Sequence, residues 1–152
     1  MKRALVVIDP SGEAKTLLRE AGELAAGVES EIVLLGIRSK SAVESDLKTL
    51  EKIGAVEGTT YSEDTLLDAL IGEVNEYAED VLAGVEVESE IVGMLADEGE
   101  RKSKILSAAE SHDCDHIFMT GRKRSPAGKA LFGDATQAVL LEFDGAVTLL
   151  LE

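Results

Sequence analysis

The sequence predicts an α/β protein, a doubly wound open sheet of five parallel strands with four helices, formed by residues 1–152 as a single domain. Three observations carry that expectation. Short β-branched apolar runs alternate along the chain with stretches whose apolar residues recur at helical spacing. Aromatic residues make up 3% of the 152 residues and Trp is absent, so the core has to come from Val, Ile, Leu and Ala, as in parallel strands covered by helices. The apolar share of 45%, with two prolines, belongs to an ordered globular chain long enough to bury a core.

Each element follows from a local pattern. "ALVVI", Ala4 to Ile8, is a β-branched run that stops at "DPSGE", a turn and helix-start signal. Leu17, Leu18, Ala21, Leu24 and Ala25 then recur at helical spacing and predict a helix from about Gly12 to Ala26. "EIVLLGI", Glu31 to Ile37, reads as a second buried strand, which closes a right-handed βαβ unit. The stretch from Arg38 to Asp64 is polar and glycine-marked, with a short helical piece around Ser45 to Lys52. Leu66, Leu70, Val74, Tyr77 and Val81 hold a helical stripe closed by Gly84. "VEVESEIVG", from Val85, alternates apolar and acidic residues, so it reads as a strand with one wet face near the sheet edge. Ile105, Leu106, Ala108 and Ala109 mark a helix from about Gly99 to Ser111. "HIFMT" is a buried strand running into Gly121, "ATQAVLLEF" the last helix and "GAVTLLLE" the last strand.

Charge excludes several function classes. Thirty acids against fifteen bases give a net charge of −15, the opposite of a nucleic-acid-binding footprint and of attraction to an anionic membrane. Acids dispersed over an ordinary globular pattern keep a protein soluble and suit a salt-rich cytoplasm, as in halophile proteins. No apolar run approaches membrane-spanning length. The first apolar run is cut short by Asp9, too early for a signal peptide, and the expected location is the cytoplasm. Cys114 is the single cysteine. In "HDCDH" it is spaced by two from His112 and His116, which would put all three on one side of an extended segment; as the chain's only soft ligands they make a poor zinc set, and a loop leading into a strand is the plainer reading.

One segment runs against the acidic background. "TGRKRSPAGKALFGDATQ", Thr120 to Gln137, holds Arg122, Lys123, Arg124 and Lys129 together with Gly121, Gly128 and Gly133. It opens at the carboxyl end of the fourth strand, where ligands bind in doubly wound sheets, and leads to a helix start at "GDATQ". The unpaired N–H groups and positive dipole end of such a helix favour an anion, and glycines let phosphate oxygens reach the main chain. The spacing is not that of a P-loop: six residues separate Gly121 from Gly128, and Ala130 stands where Ser or Thr would hold magnesium. Turn-shaping glycines beside a local counter-charge would give the same residues without a ligand.

Five segments taken in order resemble the universal stress protein (UspA-like) family: "ALVVIDPS", "EIVLLGI", "VEVESEIVG", "DCDHIFMTGR", and "SPAGKALFGDATQAVLL" before "AVTLLL". The likeness covers the whole chain, Ser39 to Asp64 being its weakest part. It implies an adenine nucleotide alpha hydrolase-like fold with strand order 3-2-1-4-5. It also implies a stress-response module that in many members binds ATP, with or without Mg2+, through G-x2-G-x9-G-[ST]. Carried over residue by residue, the nucleotide site comprises Asp9, Ser11, Val33, Gly121, Arg122, Gly128, Lys129, Gly133, Asp134, Ala135 and Thr136. Arg124, however, stands at the second motif glycine, and eleven rather than twelve residues separate Gly121 from Gly133. Asp134 replaces the Ser or Thr that would donate to phosphate; a carboxylate cannot donate there and repels the phosphate, while Thr136 offers a substitute hydroxyl.

Catalysis is not expected beyond slow ATP hydrolysis. His112 precedes the fourth strand and His116 stands just inside its start, both at the end opposite the crevice, and no third group joins Asp9 and Ser11 in a nucleophile–base set. Two readings therefore stand: a nucleotide-binding regulatory module, and a dimeric interaction protein of the same fold with an empty site. Both include a protein partner and a homodimer through the apolar final strand, Ala146 to Leu151, because an uncharged edge pairs readily and family members commonly dimerise there.

Overall fold

The computed structural model describes residues 1–8, 15–51, 61–121 and 133–151. Along them run β1 (Arg3–Ile8), α1 (Lys15–Gly27), β2 (Glu31–Arg38), α2 (Lys40–Glu51), α3 (Glu63–Val81), β3 (Ser89–Leu95), a 3-10 turn (Glu98–Glu100), α4 (Arg101–Ser111), β4 (His116–Gly121), α5 (Asp134–Glu142) and β5 (Ala146–Leu151). The five strands form one parallel sheet in the order β3-β2-β1-β4-β5, as expected.

Hydrophobic alternation along the strands builds a core on each face. Ala4, Val6, Ile8, Ile32, Leu34 and Phe118 pack against Leu17, Leu18, Ala21 and Ala25 of α1 and Leu70, Val74 and Ala78 of α3. Leu5, Val7, Val33, Leu35, Ile117 and Met119 face Ile105, Ala108 and Ala109 of α4 and Val139 of α5. Two glycines let α3 lie close: a Cβ on Gly36 would run into Val74, and one on Gly93 would come within 2.9 Å of Ile71. Gly84, just past α3, has φ +82°, a conformation that suits glycine at a helix end.

Four expectations need correction. The described residues hold five helices rather than four, because the polar stretch contains a full helix, Lys40–Glu51. Its N–H groups are capped by Ser39, whose Oγ accepts from Ala42 N at 3.2 Å. Only Val43 is fully buried along it and Leu50 is exposed, so it shows no apolar stripe. The third strand starts at Ser89 instead of Val85. Val85 N–H bonds Leu82 O in a turn, and the β2 ladder begins with Ile32 opposite Ser89, although β3 does lie at the sheet edge. Leu24 belongs to α1 but is exposed, lying about a quarter-turn off the centre of the buried stripe. Val33 proves to be an interior sheet residue, which bears on the site.

Candidate functional site at the parted ends of β1 and β4

Strand order reverses between β1 and β4, and there the sheet opens. β1 pairs with β2 along its whole length, from Arg3–Glu31 to Ile8–Gly36. With β4 it pairs at three positions only, Ala4–His116, Leu5–Ile117 and Val6–Phe118. β4 meanwhile stays paired with β5 as far as Gly121–Leu151. Val7 and Ile8 on one side, and Met119, Thr120 and Gly121 on the other, thus edge a crevice at the carboxyl ends of the strands, the place where open α/β sheets hold ligands.

The crevice receives the start of α5. A right-handed β4–α5–β5 crossover runs the helix antiparallel to the strands, so its N-terminus lies at this end. Gly133 is the N-cap, with φ −59° and ψ 159°, and its carbonyl takes the N–H of Gln137 at 3.0 Å. The N–H groups of Asp134, Ala135 and Thr136 form the first turn, whose amides have no partner within the helix. Asp134 is exposed, Ala135 half-buried and Thr136 buried at 7% exposure. The substitute hydroxyl of Thr136 therefore stands back from solvent, while Asp134 sets a negative charge on the positive end of the helix dipole.

Of the residues carried over from the sequence, Gly121, Gly133, Asp134, Ala135 and Thr136 gather at this end. Asp9, Ser11, Arg122, Gly128 and Lys129 lie outside the described residues, as do Lys123 and Arg124. Val33 is not at the crevice. It is opposite Leu5, 1% exposed, three residues short of Gly36, which is level with the end of β1. Three residues are about 10 Å of strand. The β2 positions that reach the carboxyl edge are Gly36, Ile37 and Arg38, and the half-buried Thr120 is a further hydroxyl there. Register alone distinguishes these from Val33, and four adjacent apolar residues, Ile32 to Leu35, offer no local mark of it.

Cations are biased toward this end. Arg38 ends β2, Lys15 and Lys40 open α1 and α2, and Arg101, Lys102 and Lys104 open α4, whereas among the described residues Lys2 and Arg3 lie at the amino ends of the strands and Arg19 reaches the carbonyls of Val81 and Ala83 beyond the end of α3. Arg38 is engaged, its guanidinium 2.6 Å from Asp46 and 3.1 Å from Glu73. Arg101 lines a shallow cavity of about 240 Å3 with Ile37, Ser39 and Ala96, beside the carboxyl ends of β2 and β3.

The two histidines stand at the other end and diverge. His112, just past α4, has Nδ1 3.7 Å from Glu90. His116, first in β4, shares a hydrogen bond with Thr148 Oγ1 at 2.8 Å and stacks on Phe118, ring centroids 4.4 Å apart. Burial lowers the pKa of His116, which favours the neutral ring. Between them Asp113 adopts φ +53° and Cys114 turns into the core.

Sheet order, crossovers and the parted switch point define a doubly wound α/β protein with a ligand crevice. Within that class the chain belongs to the universal stress protein family, whose model matches residues 1–150. Among solved structures it is similar to a universal stress protein from Archaeoglobus fulgidus (TM-score 0.65, 21% identity, 98% of each chain covered). It is also similar to the structure of the universal stress protein from Archaeoglobus fulgidus in complex with dAMP (TM-score 0.61, 16% identity, covering 98% of this chain and 97% of that one). A universal stress protein in complex with cAMP also matches (TM-score 0.60, 13% identity, 98% and 95% covered). No curated protein sequence matches the chain. No helix among the described residues is long and apolar enough to cross a membrane.

Proposed function

We propose that this chain is a cytoplasmic stress-response module that binds an adenine nucleotide, ATP with or without Mg2+, at the carboxyl ends of β1 and β4. The observation that carries the reading is the early end of the β1–β4 ladder, after Val6 and Phe118, with the first turn of α5 opening at that same end. Family membership and the dAMP and cAMP complexes of two relatives support it. The main-chain amides from Asp134 to Thr136 would take phosphate oxygens, and Gly121 and Gly133 would let them approach. Asp134 opposes phosphate by charge, so affinity is weak in the native chain. Calorimetric titration with ATP, with and without Mg2+, tests this: no heat at millimolar nucleotide removes it. Asp134→Ser should tighten binding about tenfold or more.

A second reading is favoured by Asp134 itself. Its carboxylate already complements the α5 dipole, which suits an interaction protein whose crevice stays empty. An Asp134→Ser variant that still ignores ATP would support that alternative. In either case we propose a homodimer through β5, which ends the sheet and leaves Leu151 47% exposed, with Leu141 of α5 at 85%. Light scattering should give a dimer at micromolar concentration and a monomer for Leu151→Lys; a native monomer contradicts the proposal.

A further inference from the structure

We infer that a second cavity, at the carboxyl end of the opposite edge strand β3, binds a small zwitterion with an apolar body, the chemistry of a free aliphatic α-amino acid. The cavity measures about 530 Å3, within the range of small-molecule sites. It lies between the starts of α2, α3 and α4 and the outer edge of β3, two strands away from the β1–β4 crevice. The inference does not depend on nucleotide binding.

Its walls divide by chemistry. Leu67, Met94 and Leu95 supply apolar surface, and around Gly93 the edge strand presents main-chain groups that no ladder partner takes among the described residues. Lys40 and Glu63 are committed to each other at 2.5 Å, a contact that holds the Glu63 carboxyl below its usual range. Lys104 is different. It is half-buried and near enough to Glu63 to lower that carboxyl further, yet has no ion-pair partner among the described residues. Asp97 lines the same cavity, where it forms a capping box with Glu100 and acts on Lys40 from a distance, with no ion-pair partner in contact among those residues.

With Lys40 and Glu63 mutually neutralised, the cavity offers Lys104 as a cation and Asp97, beside Glu100, as an anion. A simple anion would meet the carboxylates of Asp97 and Glu100, and a simple cation would leave Lys104 without a counter-charge. A molecule carrying both charges satisfies Lys104 with its carboxylate and Asp97 with its ammonium, while its side chain covers Leu67 and Met94.

The test is calorimetry and chemical-shift mapping on the full chain with three probes: L-leucine, 4-methylpentanoate, which lacks the ammonium, and 3-methylbutylamine, which lacks the carboxylate. L-leucine should saturate with shifts centred on Gly93–Asp97, and both analogues should bind about tenfold or more weaker. Lys104→Gln should weaken L-leucine to a similar degree with an unchanged melting temperature, and Lys104→Arg should retain most of the binding. Absence of saturable leucine binding overturns the inference. So do equal affinities for the three probes, or a Lys104→Gln variant that binds as the native chain does.

Discussion

The Asp115 carboxylate accepts the main-chain N–H of Lys2, at 3.0 Å to Oδ2 and 3.2 Å to Oδ1, and Arg3 N–H joins it at 3.2 Å. One side chain at the head of β4 thereby fixes the start of β1. Desolvation acts to raise this carboxyl, but the N–H donors from Lys2 and Arg3 outweigh it and its pKa lies below the ordinary value. A depressed folded-state pKa means stability that is present above the unfolded value and lost as pH falls through the folded one. Asp115→Ala should therefore cost about 1 kcal/mol at neutral pH, the group being exposed. The difference should close well below the ordinary carboxylate range. Urea midpoints of both proteins at the two pH values check it; a gap that persists in acid contradicts it.

Gly36 predicts a larger effect from a smaller change. An added methyl there meets Val74 inside the packed α3 interface, so Gly36→Ala should destabilise by about 1–3 kcal/mol. Val74→Ala in the same chain should recover part of that loss. A double-mutant cycle measures the coupling, and purely additive effects would show that the two positions do not compete for space.

Cys114 should be nearly inert. Burial pushes its thiol up to about 11, against the pull of Arg3. At pH 8 about one thiol in a thousand would then be ionised. Reaction with a chromogenic disulfide should be slow in the native protein and fast in urea. Equal rates in the two states would contradict the burial.

How much of this was legible in the sequence depended on what each residue was asked to signal. Apolar runs such as Ala4 to Ile8 and Glu31 to Ile37 marked their strands, and Leu66, Leu70 and Val74 marked α3, because burial imposes the pattern directly. α2 gave a partial signal since only Val43 anchors it fully, leaving Ser39 as its best sign, a capping residue. Val85 and Val87 alternate like a strand, yet the turn at Leu82 delays pairing until Ser89. At the crevice, Gly121 and the α5 start could be placed from chain order alone. The β2 position could not: it depends on the offset between Ile8 and Gly36, a property of two strands at once. The cavity at β3 left no local motif, because Lys40, Glu63 and Lys104 are brought together only by the packing of three helix starts.

The acidic surface predicts a salt response. With a net charge of −15, like-charge repulsion opposes the compact state and is screened as ionic strength rises. The melting temperature should increase from low to molar KCl. A flat curve would mean that the carboxylates are too dispersed to repel one another measurably.

The register that sets Gly121 beside Leu151 has a practical side. Any tag or fusion joined beyond Leu151 emerges next to the crevice and can crowd or mimic an incoming ligand. The same addition ahead of Met1 sits one strand length away, about 20 Å. Titrations intended to judge ligand binding should use material extended only at the amino end.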